Sequence, residues 1–306
     1  MFTSKLLAIL INSAIYFGIT FLLSISNANA TIYNVGDSLS DAGALGFTYT
    51  NPVSTKPLVE GKVWVQYLSN SIPAFCDDPK HCKFNNETFY YSDTGNNYAV
   101  GGAGVTFDST DARLARNFTN LHSQIDALTH NHKLGKDDIV TIWMGANDIF
   151  ASTADPYTSS TVVKETAKIF QSEVRKLSKL GSKIVVITIP DLGQTPLGLS
   201  SADGGGFLSE LTNIYNSEIV KLASIKNVNV IDSNALFEIL IGSGNFDNSD
   251  IYCYAIIDPN HVCGNKRTNP IMASSSNLPF IYADPVHPSN AVQKWIADTL
   301  QNLIQE

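Results

Sequence analysis

Clusters of basic residues are missing from this chain. Its 306 residues hold 20 Lys and Arg against 28 Asp and Glu, a net charge of −8 with His neutral. Nowhere do the basic residues gather into a patch. Such a surface offers little attraction to nucleic acid or to an anionic membrane face, so no nucleic-acid partner is expected. Internal repeats, low-complexity blocks and long linkers are also missing, which argues against a solenoid or a string of domains. Cysteine is scarce, with 4 in the chain. They form no CxxC pair and have no His nearby at ligand spacing, which speaks against zinc. His130-Asn131-His132 stands without a carboxylate or Cys cluster and reads as a solvated helix end. No metal and no cofactor are expected.

Lys5 precedes an apolar run from Leu6 to Ile25, and Ala28-Asn29-Ala30 has the small-x-small form of a cleavage site. This is the pattern of a secretory signal peptide over residues 1–30. A membrane anchor is the competing reading, since the run is nearly long enough to span. Asn12 and Ser13 interrupt it, however, and strand-like residues follow at once from Thr31. Cleavage near Ala30 predicts a secreted, periplasmic or extracellular protein. Losing Lys5 with the leader leaves 19 basic residues against 28 acidic, a net charge of −9. Residues 31–306 are enough to bury one sizeable core, and a single domain is expected. The even Cys count in an exported chain suggests disulfides. The short loops Cys76–Cys82 and Cys253–Cys263 favour two local bridges, with zinc binding and free thiols as alternatives.

Apolar runs alternate with amphipathic stretches along this span. Strands are expected at Thr31–Val35, Asn97–Val100, Asp138–Met144, Lys183–Ile189 and Val228–Asp232. Helices are expected at Val63–Leu68, Asn117–His130, Ser160–Leu180, Phe207–Ile225, Ala235–Ile241 and Ser289–Ile304. Residues 44–61, 73–97 and 242–279 read as loops. The near-continuous apolar strands suit a doubly covered parallel sheet of about five strands with right-handed crossovers. Three strand ends then share one sheet edge. They carry Ser38, Gly101-Gly102 and Asn147.

Acyl transfer by serine needs a nucleophile, a base, a group that orients the base, and donors for the oxyanion. Gly36-Asp37-Ser38-Leu39-Ser40-Asp41 lies at a strand-to-helix turn, where a hydroxyl is exposed and backbone N–H groups point outward. Ser38 is the candidate nucleophile, and its own N–H a candidate oxyanion donor. Gly101 is favoured as a second donor, with Gly102 the alternative, and the Asn147 amide is a third. In Asp284-Pro285-Val286-His287-Pro288 the three-residue spacing lets the carboxylate curl back to one imidazole nitrogen, leaving the other for Ser38. Asp258-Pro259-Asn260-His261 has the same spacing but no helix after it, so Asp284 and His287 are preferred. Asp37 is read as a turn residue, not as the acid of the triad.

The ordered set Gly36-Asp37-Ser38-Leu39, Gly101-Gly102, Gly145-Ala146-Asn147-Asp148 and Asp284-x-x-His287-Pro288 resembles the GDSL (SGNH) hydrolase family over essentially all of residues 31–306. Ser40-Asp41, Asn97-Tyr98-Ala99-Val100-Gly101-Gly102-Ala103 and Asp-Pro-Val-His are similar to a narrower branch. That branch holds bacterial secreted lysophospholipases, phospholipases A and glycerophospholipid:cholesterol acyltransferases. The resemblance implies a flavodoxin-like three-layer α/β/α sandwich. It also implies a Ser38, Asp284, His287 triad and Ser38, Gly101 and Asn147 as oxyanion donors. Val35 departs from the pattern, since an aromatic residue often precedes the glycine. The branch implies phospholipid or lysophospholipid substrates met at a lipid interface, with a sterol as an acyl acceptor. A carbohydrate or aryl esterase of the same family, and a non-catalytic binding protein on the same scaffold, are the alternatives. Residues 44–61 and 242–279, the latter with Phe246, Ile251, Tyr252, Tyr254, Ile256 and Ile257, either build an acyl site or pack as a satellite core.

Overall fold

A computed structural model describes residues 31–305, apart from 45–46, 56–57, 75–82, 86–88, 92–94, 110–118 and 254–276. Its centre is a parallel sheet of four strands, β1 (Ile32–Gly36), β2 (Ile139–Trp143), β3 (Lys183–Ile187) and β4 (Val228–Ile231), in that spatial order. β2 is buried at every position, as a strand covered on both faces must be.

The expected fifth strand, Asn97–Val100, is not a regular strand. It nevertheless runs beside β1, with a single parallel bridge from Asn97 to Asn34. The Asn34 N–H donates to Asn96 O, and the Tyr98 and Val100 N–H groups donate to Asn34 O and Gly36 O. The ladder is interrupted at the Gly36 N–H, which is taken at 2.8 Å by the side chain of Gln124. Counted as the second strand in the chain, this segment gives the spatial order 2-1-3-4-5 of flavodoxin-like sheets.

The helices follow the apolar periodicity. α1 (Trp64–Ser69), α2 (Leu121–Asn131), α3 (Ala146–Ser152), α4 (Ser159–Ser178), α5 (Gly206–Ile219), α6 (Ser233–Gly242) and α7 (Asn290–Gln305) connect the strands or close the chain. In α4, Val163, Ala167, Phe170, Val174 and Leu177 are buried at alternating spacings of three and four. Leu180 was expected on the same face but lies beyond the helix end and is exposed. α1 packs on α7, while α2 and α5 flank α4. The two groups form the outer layers of the three-layer sandwich.

Further features depart from the sequence expectation: Ser54–Thr55 pairs antiparallel with Leu58–Val59, and Lys83–Asn85 with Phe89–Tyr91, inside stretches read as loops. α3 was read only as the end of a strand; it starts immediately after β2, with Gly145 at φ +132° before it. Within 242–279, residues Asp247–Ile251 form β5, which pairs in parallel with β6 (Phe280–Tyr282). His132 is not simply solvated, because its ring packs 4.7 Å from that of Tyr33 and 6.1 Å from that of Tyr98.

Candidate active site

The turn after β1 is built from side chains that satisfy backbone groups. Gly36 is required by close approach, since a Cβ there would lie 2.6 Å from Trp143 O. Asp37 Oδ1 accepts the Leu39 N–H at 3.0 Å. Asp41 Oδ1 accepts from Gly43 and Ala44, and its Oδ2 accepts the Gly101 N–H at 2.8 Å. Asp41 thereby joins the turn to the end of the neighbouring extended segment. Ser40 Oγ accepts from Trp64 Nε1. Ser38 is left at the centre of this frame, mostly buried. The carboxyls of both aspartates are pushed up, Asp37 to about 7 and Asp41 to about 6. Burial is the main cause in each, and it outweighs the backbone N–H groups they accept.

The second part of the site follows β6. The Ala283 N–H donates to His287 O and the Ser289 N–H to Ile281 O, which folds residues 284–287 into a tight turn. Asp284 is wholly buried at its head. Its Oδ1 accepts the Val286 and His287 N–H groups at 2.8 and 2.7 Å. Its Oδ2 lies 2.7 Å from His287 Nδ1, and His287 Nε2 lies 2.8 Å from Ser38 Oγ. A carboxylate only accepts, so Nδ1 carries the ring proton and Nε2 accepts from the serine hydroxyl. The Tyr49 ring packs 5.2 Å from the imidazole ring. Phe47, Tyr49, Tyr252, Cys253 and Ala283 form a small cluster of their own beside the main core. The described loop residues thus divide: Tyr49 belongs to this cluster and also lines the cavity beside Ser38, and Phe246 packs against the main core, while Tyr254, Ile256 and Ile257 lie outside the described residues.

Around Ser38 stand the remaining candidates. Asn147, at the start of α3, donates one amide hydrogen to Ala103 O at 2.9 Å, which leaves its second for the pocket. Asp148 clamps α3 to the same loop by accepting from Val105 and Thr106. Burial raises its carboxyl above the usual range despite these bonds. The glycine preference needs correction. The Gly101 N–H is held by Asp41 and is not free for an oxyanion. Gly102 is the next residue; its φ is +75°, its N–H has no hydrogen-bond partner among the described residues, and it lines the pocket, as Gly101 does.

Ser38, Gly102, Asn147 and His287 line one cavity of about 460 Å³, within the range of about 300–1,000 Å³ typical of small-molecule sites. Its other walls are mainly apolar, among them Leu39, Phe150, Leu192, Leu197, Phe237 and Val286. Phe150 sits one turn below Asn147 on α3, so the apolar part begins directly beneath the amide. Ser109 also lines the cavity. Sequence inspection missed it, because a lone Ser in a polar stretch carries no signal of its own.

The sequence-predicted residues Ser38, Asn147, Asp284 and His287 converge here, although they are up to 249 positions apart in the chain. Asp258, His261, Cys76, Cys82 and Cys263 lie outside the described residues. Cys253 is disulfide-bonded, fully buried, and donates its N–H to Ala283 O. Among the described residues no group of His, Cys, Asp or Glu could hold a metal ion.

The model of the GDSL-like lipase/acylhydrolase family matches residues 32–300. Lipase 1 of Photorhabdus luminescens is 25% identical over 238 residues, covering 74% of this chain and 32% of that protein. The phosphatidylcholine-sterol acyltransferase of Aeromonas hydrophila is 25% identical over 179 residues, covering 55% of this chain and 47% of that one. The chain thus spans a third to a half of the length of these curated relatives. Among solved structures, a lipolytic G-D-S-L protein from Veillonella parvula aligns with a TM-score of 0.47 and 12% identity, covering 91% of this chain and all of that one. The acetylxylan esterase Axe2 of Geobacillus stearothermophilus aligns at 0.47 and 16% identity, covering 92% of this chain and 96% of that one.

Proposed function

Because the chain belongs to the GDSL-like lipase/acylhydrolase family, we propose that it hydrolyses carboxylic esters through Ser38 and that its acyl groups come from phospholipids or lysophospholipids. In this reading Ser38 Oγ attacks the ester carbonyl while His287 Nε2 takes its proton. Asp284 holds the imidazole in the required tautomer and balances the imidazolium charge. The oxyanion of the tetrahedral intermediate meets the N–H groups of Ser38 and Gly102 and the free amide hydrogen of Asn147. His287 then returns the proton to the leaving alcohol. Water, activated by the same imidazole, releases the acyl group and restores Ser38. A sterol or other alcohol in place of that water completes acyl transfer.

The observation that carries the lipid reading is the apolar wall formed by Phe150, Leu192, Leu197 and Phe237 beside Ser38. A fatty chain gains by leaving water for such a wall, whereas an acetyl group has little surface to bury there. Ser38→Ala is expected to lower fatty acid release from lysophosphatidylcholine by about 10⁴- to 10⁶-fold with the fold intact. Release unchanged by the substitution rejects the mechanism. Faster turnover of acetylated sugars or short aryl esters than of lysophosphatidylcholine favours the carbohydrate or aryl esterase reading. Failure of a fluorophosphonate to label Ser38 favours a binding protein. Export is part of the same proposal: residues 1–30 have the composition of a cleavable leader.

A further inference from the structure

Ser109, whose hydroxyl meets the Gly101–Gly102 peptide, lies outside the family motifs. Val100–Ala103 is a β-turn, closed by the Ala103 N–H donating to Val100 O at 3.2 Å. Gly102, its third residue, has φ +75°, while Gly101 is not in the left-handed region. That combination is a type II turn. A type I turn through the same four residues differs by a half-rotation of the central peptide, here the unit joining the Gly101 carbonyl to the Gly102 N–H. With glycine at both central positions, the backbone itself prefers neither strongly. The two orientations are opposite for catalysis. In a planar trans peptide the carbonyl and the N–H point in opposite directions. One orientation offers the N–H to an oxyanion; the other offers a carbonyl oxygen.

Asp41 does not settle this choice, because the Gly101 N–H it holds belongs to the preceding peptide. Ser109 does: its hydroxyl donates to the Gly101 carbonyl at 2.6 Å. Ser109 is itself anchored, its N–H donating to Thr119 Oγ1 at 2.6 Å. The preceding Asp108 Oδ1 accepts from the N–H groups of Thr119 and Asn120 and from the Asn120 side chain. The hydroxyl is therefore tied to the N-terminal end of α2 and does not merely follow the glycine turn.

We propose that Ser109 is a positioning residue whose hydroxyl locks the Gly101–Gly102 peptide in the type II orientation, with the Gly102 N–H aimed into the oxyanion site. Donation to the carbonyl also polarises that peptide and strengthens its N–H as a donor. The inference rests on the ester hydrolase reading above. Its action is confined to the transition state, where the oxyanion exists, so the loss should fall on kcat and spare KM.

The test measures kcat and KM on a p-nitrophenyl ester for wild type, Ser109→Ala, Ser109→Thr and Ser38→Ala, with thermal unfolding of each. Loss of a full oxyanion donor costs about 10²- to 10³-fold, so Ser109→Ala is expected to lower kcat by at least about tenfold. KM should stay within about twofold, Tm should be close to wild type, and Ser109→Thr should restore kcat. Wild-type kcat in Ser109→Ala overturns the inference. So does a loss confined to KM, which would mean that the hydroxyl touches substrate. If Ser109→Ala does not fold, Ser109→Cys replaces it: the thiol is a weak donor of similar shape. Loss of kcat with Cys and its retention with Thr supports the lock, and full activity with Cys overturns it. Turnover surviving Ser38→Ala overturns the hydrolase reading and this inference together. Loss on Ser38→Ala with none on Ser109→Ala overturns this inference alone.

Discussion

Two aspartates flank Ser38, and their environments give them different work. Asp41 satisfies three backbone N–H groups across two segments. Asp37 accepts the Leu39 N–H at 3.0 Å, and the Gly145 backbone N–H is also directed at its carboxyl. Burial lifts Asp37 from 3.8 to about 7; the Leu39 and Gly145 N–H groups and His287 pull it down, and Asp148 pushes it up. A carboxyl whose folded pKa lies above its unfolded value binds a proton more tightly in the folded state. Its contribution is fully present below about pH 4 and is lost as the pH rises to about 7. Asp37→Asn keeps an oxygen for the Leu39 N–H and removes the titration. The stability of this variant relative to wild type is expected to be greater at pH 8 than at pH 4, by on the order of a few kcal/mol. Urea unfolding at the two pH values reads the difference directly. The Asp41 titration is common to both proteins and cancels. A stability gap that is the same at both pH values would count against an ionising Asp37.

At the scale of elements, the site depends on where secondary structure stops. β1 ends as a strand at Gly36 because the Gln124 amide takes the place of a further strand partner. Its Oε1 accepts the Gly36 N–H, and its Nε2 donates to Gly36 O and Thr119 O at 2.8 and 2.7 Å. Gln124 is fully buried on α2, so this helix fixes the point at which the chain leaves the sheet for the Ser38 turn. Gln124→Leu is expected to destabilise the protein by about 1–3 kcal/mol for the buried N–H left unpaired at Gly36. It should also lower turnover, since the Ser38 turn loses its anchor. Chemical denaturation together with an ester assay checks both, and an unchanged midpoint would contradict the role given to Gln124. A similar logic applies after β6, where the return of the chain through residues 287–289 closes the Asp284–His287 turn.

For the whole molecule, the sheet brings its strand ends to one edge while the charge of the chain keeps its surface acidic. β1 begins at Ile32, directly after the proposed cleavage point, so cleavage there would leave the strand whole. The Thr31 N–H lies 3.1 Å from Asp138 Oδ1, and Thr31 O accepts from Ile139. Cleavage after Ala30 would turn that amide into an ammonium group facing a carboxylate, a favourable pair at the start of the central strand. The mature protein is expected to begin at Thr31, as read by N-terminal sequencing of exported material. A start several residues later would remove part of β1 and is incompatible with this fold.

The four strands of the sheet, most helices and the convergence of Ser38, Asn147, Asp284 and His287 were legible from local chemistry. Buried parallel strands are continuous apolar runs, amphipathic helices repeat every three to four residues, and an Asp three positions before a His can curl back to it. The fifth sheet position was legible as a segment but not in its irregularity, because the Gln124 bond that interrupts its ladder comes from 88 positions away. The sequence by itself determined which side chains are the candidates for the chemistry and that strand ends would present them. Only the tertiary structure shows that Asp41 holds the Gly101 N–H and that Ser109 holds the Gly101 carbonyl. Both depend on which of two nearly identical peptide groups faces Asp41 and which faces the pocket. Glycine places no side chain on either, so the partners that orient them are recruited from distant parts of the chain.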